Sequence, residues 1–376
     1  MDARARGLED VVIGESAVSR VGGETGHLSF RGYDITEVVE HLGYEGTVHL
    51  LLRGGLPEAD PPPEMLRELA RRRSLPPEVE RLVDALPAEL PPIDALRTGI
   101  SSLGGGRFPY PPTLEQGLEL IAQAPTLLAR FHRRRTGQAP VPPDPELGHV
   151  RNYLHMLEDG RPDPTRVWAL ESYFDLIADH GMNASTFALR VVLSTNADLI
   201  SAATAGVGAL KGPLHGGAPE RVLEMLDAVG REENVGPWLR GAFERRERLM
   251  GFGHRAYKVE DPRALLLREI ARKVADPRRF ALAQRLEALA LEELRRRRPE
   301  QRLFTNVEFY AAVVLEAAGL PRDLFPATFA VARTAGWVAH ALEQAESNRL
   351  IRPDIRYTGE RERHLPSGYP RRPIPP

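Results

Sequence analysis

From residue 36 onward, apolar residues recur at helical spacing in segment after segment, and proline- and glycine-rich stretches separate the segments. The segment ERVLEMLDAVG, for example, places four apolar residues at i, i+3, i+4 and i+7: Val222, Met225, Leu226 and Val229. That spacing is typical of an amphipathic helix. Strands do not alternate with these segments, which argues against a parallel α/β sheet. The sequence therefore predicts an all-α fold for most of the chain.

The same spacing gives the expected bounds of the longer helices. We expect them over residues 114–135, 165–179, 183–194, 196–210, 236–249, 261–275, 279–297, 306–318 and 326–346. Proline and glycine clusters such as GGLPEADPPP and LPAELPP mark the breaks between helical segments. Residues 9–35 differ from the rest, because the β-prone pieces VVIGESAVSRV and GHLSFRGYDI flank the turn GGETG. They predict a small sheet or hairpin at the N-terminus.

The composition excludes several classes of protein. The 376 residues carry a formal net charge of −2, so no overall positive charge draws the chain to nucleic acid or to an anionic membrane. There is no cysteine, which excludes disulfides, thiol catalysis and cysteine metal sites. No apolar run approaches the roughly 20 residues of a membrane span, and MDARARGLED has no apolar signal-peptide core. We therefore expect a cytoplasmic protein with no nucleic-acid and no membrane partner.

Arginine is clustered at residues 71–73, 133–135 and 295–298. Each cluster ends a predicted helix, where positive charge suits the negative end of the helix dipole. Acidic residues lie nearby in every case. The clusters are therefore interpreted as solvated helix ends rather than as a nucleic-acid surface.

Three histidines lie in unusual sequence contexts. His180 is in ADHGMNASTF, His215 is in LKGPLHGGAPE and His254 is in LMGFGHRAYKVEDPRA. Glycines flank the second and the third, in loops that interrupt helical segments. Loops held by rigid helices are where binding and catalytic residues concentrate. Histidine also titrates near neutrality, so these residues are candidates for proton transfer.

The cations that follow His254 indicate what kind of ligand this site would take. Arg255, Lys258 and Arg263 would repel a metal ion, and the chain has no HExxH motif, so we predict no metal site. Arginine binds carboxylates through two parallel hydrogen bonds, and lysine suits phosphate as a point charge. The pattern therefore predicts a substrate that carries carboxylate or phosphate. There is no P-loop and no GxGxxG motif, so we expect no nucleotide fold of those kinds.

A carboxylate stands at the start of the apolar stretch FTNVEFYAAVVLEAAG. Asn306 is a suitable helix N-cap, and an acid such as Glu308 just after it suits the positive end of the helix dipole. The alternative is that Glu308 is a catalytic acid or base. The residues of this stretch alone leave both interpretations open.

Seven motifs, in order along nearly the whole chain, give the sequence a family resemblance. They are GHLSFRGYDI, DHGMNASTFALR, LKGPLHGGAPE, MGFGHRAYKVEDPRA, NVEFY, FAVARTAGWVAHALEQ and RLIRPDIRYTG. The chain closely resembles the citrate synthase family. The resemblance implies a two-domain helical fold, with a large domain of residues 1–217 and 326–376. A smaller helical domain, residues 218–325, would close over the active site.

The resemblance also implies a role for each residue of the catalytic set. His215 would hydrogen-bond the thioester carbonyl of acetyl-CoA and stabilise the enol. His254 would hydrogen-bond the keto group of oxaloacetate and protonate it as the carbon–carbon bond forms. Glu308 would be the base that removes the methyl proton.

For substrate binding, the resemblance implies two further groups of residues. The oxaloacetate carboxylates would be held by His180, Arg263, Arg333 and Arg352. Of these, Arg352 would come from the neighbouring subunit of a homodimer. Arg255 and Lys258 would lie near the phosphates and the pantetheine of CoA. No cofactor is implied beyond acetyl-CoA as co-substrate.

The sequence departs from the family pattern around the expected base. Glu308 stands where the family usually has aspartate, and Pro219 stands where it commonly has asparagine. Thr305 and Ala311 replace the usual proline and serine that flank the NVEFY motif. The expected activity is condensation of oxaloacetate with acetyl-CoA to citrate, or with propionyl-CoA to 2-methylcitrate. The alternative is a weakly active or non-catalytic paralogue that binds a dicarboxylate or CoA.

Overall fold

The computed structural model describes residues 7–8, 11–59, 61–216, 218–253, 257–367 and 369–370, with the backbone alone for Ala218. This part of the chain contains sixteen α-helices, three short strands and two 3₁₀ turns, Glu232–Asn234 and Arg322–Leu324. The helices are α1 (Ile35–His41), α2 (Tyr44–Arg53), α3 (Pro63–Ala70), α4 (Pro77–Asp84), α5 (Pro92–Ser102), α6 (Leu114–Arg135), α7 (His149–Glu158), α8 (Pro164–Ile177), α9 (Ala184–Leu193), α10 (Leu199–Leu210), α11 (Ala218–Val229), α12 (Val235–Glu244), α13 (Pro262–Val274), α14 (Pro277–Arg297), α15 (Val307–Ala317) and α16 (Phe325–Glu346). The predicted all-α class is confirmed. Among the described residues, no helix is long and apolar enough to cross a membrane.

The predicted N-terminal β element is also confirmed. Strands β1 (Ser19–Gly22), β2 (His27–Phe30) and β3 (Tyr33–Asp34) form one antiparallel sheet in the order β1-β2-β3. The sheet passes directly into the helical part, because the Asp34 carboxylate accepts from the Thr36 amide and caps α1. Capping satisfies one of the amides that a helix start leaves without a partner.

Several helices begin on a proline that the sequence analysis treated as a break. Pro63 and Pro92, from the clusters GGLPEADPPP and LPAELPP, each occupy the first turn of a helix, α3 and α5 respectively, and Pro77 does the same in α4. Proline suits this position because its missing N–H would have no partner there and its fixed φ is already helical. Helices α3 to α5 were therefore missed, although the proline clusters at the starts of α3 and α5 were seen.

Two predicted bounds were wrong by a few residues. The helix expected over residues 236–249 ends as α12 at Glu244, and Arg246 just beyond it has a left-handed φ of 57°. The helix expected from residue 196 begins as α10 at Leu199, because the Asp198 carboxylate accepts from the Ser201 amide. Both differences arise from local backbone geometry at a helix end, which apolar spacing does not report.

Helix α16 is the centre of the molecule. It is almost wholly buried over its first seventeen residues and packs against α2, α5, α6, α8, α9 and α10. Its Gly336 amide donates to the Ala178 carbonyl just beyond α8, at 3.0 Å. A Cβ at Gly336 would lie 2.3 Å from that oxygen, so glycine is required for the approach. The end of α8 and the start of the His180 segment are thereby fixed against α16.

The helices that follow residue 217 pack mainly on α15. Helices α11 and α13 both lie against α15, and α12 lies against α14. Helix α8 contacts both α13 and α15, so this second group of helices adjoins the first. Arg166, near the start of α8, donates to the Ala318 carbonyl just after α15, and Lys273, near the end of α13, lies over the Trp168 ring of α8. The starts of α13 and α15 therefore lie toward the end of α8.

Candidate active site

His215 lies in a tight turn that follows α10. Its amide donates to the Gly212 carbonyl at 2.9 Å, and the Gly216 amide donates to the Leu210 carbonyl at 3.0 Å. A Cβ at Gly216 would lie 2.7 Å from that same Leu210 oxygen. The glycine that follows His215 therefore lets the loop fold back onto the end of its own helix, which holds the imidazole at a defined place.

The tautomer of His215 follows from its contact with the start of α9. The Ser185 amide donates to Nε2 of His215 at 3.3 Å, and the Ser185 hydroxyl lies 2.9 Å from the same nitrogen. An amide N–H can only donate, so Nε2 carries the lone pair and Nδ1 carries the hydrogen. Trp337 supports the arrangement, because its indole N–H donates to the Ser185 hydroxyl at 3.3 Å. His215 thus carries its N–H at Nδ1, the ring nitrogen that does not contact Ser185.

Burial and the positive charge of Arg333 lower the pKa of His215 from 6.5 to about 4. The imidazole is therefore uncharged at neutral pH. A neutral imidazole N–H can donate a hydrogen bond to a substrate oxygen and so stabilise negative charge that develops there.

Glu308 lies in the first turn of α15 and is partly buried. The Asn306 side chain accepts from the Glu308 amide at 3.0 Å, which confirms the predicted N-cap. Burial raises the pKa of Glu308 from 4.5 to about 7; Arg263 and Arg333 act to lower it, and Asp261 acts to raise it. A carboxylate whose pKa lies near neutrality is suited to take up and release a proton.

The segment before His254 is paired with the segment before Glu308. Phe252 forms an antiparallel bridge with Thr305, and the Gly253 amide donates to the Phe304 carbonyl at 2.7 Å. The Asn306 side chain closes the pairing by donating to the Gly253 carbonyl at 2.8 Å. His254 and Arg255 themselves lie outside the described residues, so their predicted roles stay predictions. The pairing nevertheless brings Gly253, the residue before this gap, next to the start of the helix that carries Glu308.

Arg263 is held in the site by a buried carboxylate that the sequence analysis did not single out. Both Arg263 and Asp261 are almost fully buried, and their side chains form an ion pair with N···O 2.9 Å. The Asp261 carboxylate also accepts from the Val307 amide at 3.3 Å, one residue before Glu308. Removing either partner would leave an uncompensated buried charge. Asp261 therefore joins the start of α13 to the start of α15.

Arg333 projects from the middle of α16 into the same region. Its Nε donates to the Ile177 carbonyl at the end of α8, at 2.5 Å, and its guanidinium lies 4.9 Å from the Phe329 ring centre. Burial lowers the pKa of Arg333 to about 10, while Asp179 acts to raise it, so the group stays charged at neutral pH. Arg333 and His215 both contact the Phe329 ring, and the charge of Arg333 acts on the pKa of His215 and on that of Glu308.

His180 is buried beside Tyr257, with 3.2 Å between its Nε2 and the tyrosine hydroxyl oxygen. The preceding residue, Asp179, anchors the segment. Its carboxylate accepts from the Ser19 hydroxyl at 2.5 Å and from the Gly181 amide at 2.8 Å, and it lies 3.3 Å from His340. Although burial raises the pKa of Asp179, these contacts and Arg333 lower it to about 2, so it is ionised.

Two predicted binding residues lie at the surface. The Lys258 side chain is 70% exposed and pairs with Glu24 in the β1–β2 turn, and its amide donates to the Gly23 carbonyl. The Arg352 side chain is 77% exposed in the segment after α16, 3.7 Å from Asp354. Their predicted contacts with CoA and with a partner subunit's substrate stay predictions. No group of three or more histidine, aspartate or glutamate side chains in the described chain is placed to hold a metal ion.

The geometry brings together a neutral imidazole donor, a carboxylate that titrates near neutrality and two buried guanidinium groups. Such a set can bind a dianion, remove a proton from carbon and stabilise the enol that results. The sequence analysis missed the carboxylates and hydroxyls that support this set, namely Asp179, Asp261, Ser185 and Tyr257. The only sequence signal for them is their position next to, or within a few residues of, a predicted site residue.

Comparison with known proteins agrees with the fold. The family model described as citrate synthase, C-terminal domain, matches residues 7–354. Citrate synthase 2 of Bacillus subtilis is 38% identical over 372 residues, which cover 96% of this chain and 98% of the relative. The crystal structure of citrate synthase from Thermotoga maritima has a TM-score of 0.84 at 35% identity, over 96% of this chain and 98% of that one.

A further solved structure has ligands bound. It is the ternary complex of carboxymethyl coenzyme A and oxaloacetate with citrate synthase from Thermoplasma acidophilum. It has a TM-score of 0.88 at 27% identity and covers 96% of this chain and 98% of its own. The fold and the site thus define an enzyme of the acyltransferase class. The chain belongs to the citrate synthase family.

Proposed function

We propose that this protein condenses oxaloacetate with acetyl-CoA and releases citrate and free CoA. The single observation that supports this most is the convergence of His215, Glu308 and Arg333. The first is a neutral N–H donor, the second a carboxylate of pKa about 7, and the third a buried cation whose charge acts on both. This combination supplies the donor, the base and part of the anion site that the reaction needs.

The first step is enolisation of acetyl-CoA. The Glu308 carboxylate removes a methyl proton, and the Nδ1–H of His215 donates to the thioester oxygen where negative charge develops. A thioester methyl is a weak carbon acid. A preorganised donor at that oxygen therefore lowers the activation free energy of proton removal by several kcal/mol. The neutral state of His215 matters here, because its N–H is available over the whole neutral pH range.

The second step is carbon–carbon bond formation. The enol carbon attacks the keto carbon of oxaloacetate, and the keto oxygen takes up a proton, which we assign to His254. Water then cleaves the thioester to give citrate and CoA. Arg263, Arg333 and His180 hold the oxaloacetate carboxylates. The support for this is burial of both guanidinium groups close to the Glu308 carboxylate.

We further propose that a homodimer completes the site. Arg352 lies on an exposed segment after α16, and Ile355 and Tyr357 beside it are largely exposed too. An exposed apolar segment that carries an arginine is suited to contact a second subunit and to reach its substrate. The proposed large domain is residues 1–217 with 326–376, and the proposed small domain is residues 218–325. Arg255 and Lys258 as CoA ligands, and a cytoplasmic location, stay predictions.

Release of free CoA tests the proposal directly. The purified protein is incubated with oxaloacetate and either acetyl-CoA or propionyl-CoA, and thiol release is followed by absorbance. We expect turnover with acetyl-CoA that is lost in Glu308→Gln and retained in the matched surface control Glu300→Gln. Faster turnover with propionyl-CoA would assign 2-methylcitrate synthesis instead. Binding of oxaloacetate by calorimetry with no thiol release from either acyl-CoA would identify a non-catalytic paralogue.

A further inference from the structure

A buried carboxylate on α14 contacts the segment that carries Glu308 at two points. Glu287 is 7% exposed and lies in the middle of α14. Its Oε1 accepts from the Thr305 hydroxyl at 2.6 Å, and its Oε2 accepts from the Tyr310 hydroxyl at 2.6 Å. Thr305 precedes the N-cap of α15, and Tyr310 lies in its first turn. One carboxylate therefore ties both sides of the start of α15 to α14.

The charge of this carboxylate is balanced from a third helix. Arg268 of α13 donates to Oε1 of Glu287 at 2.7 Å, and its guanidinium lies 5.4 Å from the centre of the Tyr310 ring. A buried carboxylate is tolerated when a cation and hydrogen-bond donors satisfy it, and these are strong, short bonds. The cluster of Arg268, Glu287, Thr305 and Tyr310 thus joins α13, α14 and α15.

The cluster lies on the side of α15 opposite Glu308. Tyr310 follows Glu308 by two residues, which at 3.6 residues per turn places the two side chains about 200° apart around the helix. The charges that act on Glu308 come instead from Arg263, Asp261 and Arg333. Glu287 can therefore affect Glu308 only through the position of the backbone.

We propose that Glu287 is a positioning residue for the base: by holding Thr305 and Tyr310 it fixes the start of α15 and so places the Glu308 carboxylate against the substrate methyl group. This inference rests on the proposed function, in which Glu308 removes the proton. A glutamate side chain has three rotatable bonds, so its reach is defined only if its backbone does not move. A displacement of about 1 Å can cost roughly 10²-fold in rate.

Two pairs of variants separate positioning from general stability. Thr305→Val removes the hydroxyl and keeps the shape, whereas Thr305→Ser keeps the hydroxyl. Tyr310→Phe removes the other hydroxyl bond. Its matched control is Tyr153→Phe, which removes an equally buried tyrosine hydroxyl bond, to Thr328, away from α15. For each variant we would measure kcat, the KM for oxaloacetate, and the isotope effect on kcat with trideuterated acetyl-CoA, well below its unfolding temperature.

We expect Thr305→Val and Tyr310→Phe each to lower kcat by roughly ten- to hundredfold and to increase the isotope effect, because proton removal becomes more rate-limiting. The KM for oxaloacetate should change much less than kcat, since Arg333 lies on α16, outside this cluster. Thr305→Ser keeps a kcat close to that of the wild type, and so does Tyr153→Phe. If Thr305→Val does not fold, Tyr310→Phe carries the test alone.

Two kinds of failure are distinguishable. The inference is overturned if Glu308→Gln is inactive but Thr305→Val and Tyr310→Phe keep the wild-type kcat and isotope effect. It is also overturned if Tyr153→Phe loses as much activity as Tyr310→Phe. The proposed function fails instead if the wild type releases no CoA, or if Glu308→Gln remains fully active.

Discussion

The Asp261 carboxylate accepts a hydrogen bond from the Val307 amide at 3.3 Å, although Asp261 caps α13 and Val307 begins α15. The same carboxylate caps α13 and pairs with Arg263. One side chain therefore fixes an anion-binding arginine and the start of the helix that carries the base. Its negative charge also acts to raise the pKa of Glu308. Asp261 therefore affects both the position and the pKa of Glu308.

The pH profile of the wild-type enzyme should report Glu308. The base works as a carboxylate, and its pKa is about 7, so we expect kcat/KM to rise with pH and to level off above about pH 7. His215 should add no limb in this range, because its pKa of about 4 leaves it neutral throughout. Initial rates of CoA release between pH 5.5 and 8.5 provide the measurement. An activity that is flat down to about pH 5.5 would contradict the raised pKa.

Asp261→Asn should move that limb to lower pH. The variant removes a negative charge that raises the pKa of Glu308, and the positive charge of Arg263 then acts on Glu308 unopposed. Stability should also fall, by roughly 3–5 kcal/mol, since a buried guanidinium loses its partner. The matched control is Asp276→Asn, which alters an exposed cap at the start of α14. A limb that stays in place in both variants would show that Asp261 does not set the acidity of the base.

Glu308→Gln should lose activity and gain stability. The folded-state pKa of about 7 lies above the ordinary value of 4.5, so protonation favours the folded protein, and wild-type stability falls as pH rises from about 4.5 to 7. Glutamine lacks this penalty. We expect the variant to be more stable by up to about 3 kcal/mol at pH 8, with the difference shrinking toward pH 4.5. Urea unfolding at both pH values measures it, with Glu300→Gln as the exposed control. If the variant and the wild type were equally stable at pH 8, burial of the ionised Glu308 carboxylate would not destabilise the fold.

Glu308→Asp tests whether the longer base fits its surroundings. The start of α15 is held by Asn306, by Asp261 and by Glu287, so the backbone cannot follow a shorter side chain. We expect kcat to fall by roughly ten- to hundredfold while oxaloacetate binding is retained. Steady-state kinetics with calorimetry of oxaloacetate binding would show it. A large increase in kcat would instead indicate that the glutamate is misplaced for the reaction.

Gly336→Ala should destabilise the protein by roughly 1–3 kcal/mol. The new methyl group would meet the Ala178 carbonyl and the Asp179 carboxylate, at 2.3 and 2.5 Å, so α16 must move away from α8. The matched control is Gly236→Ala in α12, where the nearest atom is the end of a flexible arginine at 3.6 Å. Urea midpoints compare the two. Equal midpoints would show that the contact between α16 and Ala178 is not needed for the fold.

The sequence predicted the long helices and the Asn306 cap because both depend on residues close together in the chain. Helices α3 to α5 were missed because proline has opposite meanings inside a helix and at its first turn. Single-sequence patterns show the proline but not which side of it is helical.

The residues of the candidate site also differ in whether the sequence singles them out. His180, His215, Arg263, Glu308 and Arg333 were identified because each stands in a recognisable motif. Asp179 and Glu287 were not, because their importance lies in partners distant in sequence, such as Ser19 for the first and Thr305 for the second. Likewise, Lys258 pairs with Glu24, which lies 234 positions earlier in the chain. Such partners become visible only in three dimensions.

The bridge between Phe252 and Thr305 also affects how the chain tolerates insertions. Its hydrogen bonds hold Phe252 and Gly253 beside Phe304 and Thr305. Extra residues in the exposed turn at 298–302 would extend outward from this pairing without changing the alignment of Gly253 with Asn306. That turn is therefore a position where a tag or a new domain can be inserted without moving the residues that hold the start of α15.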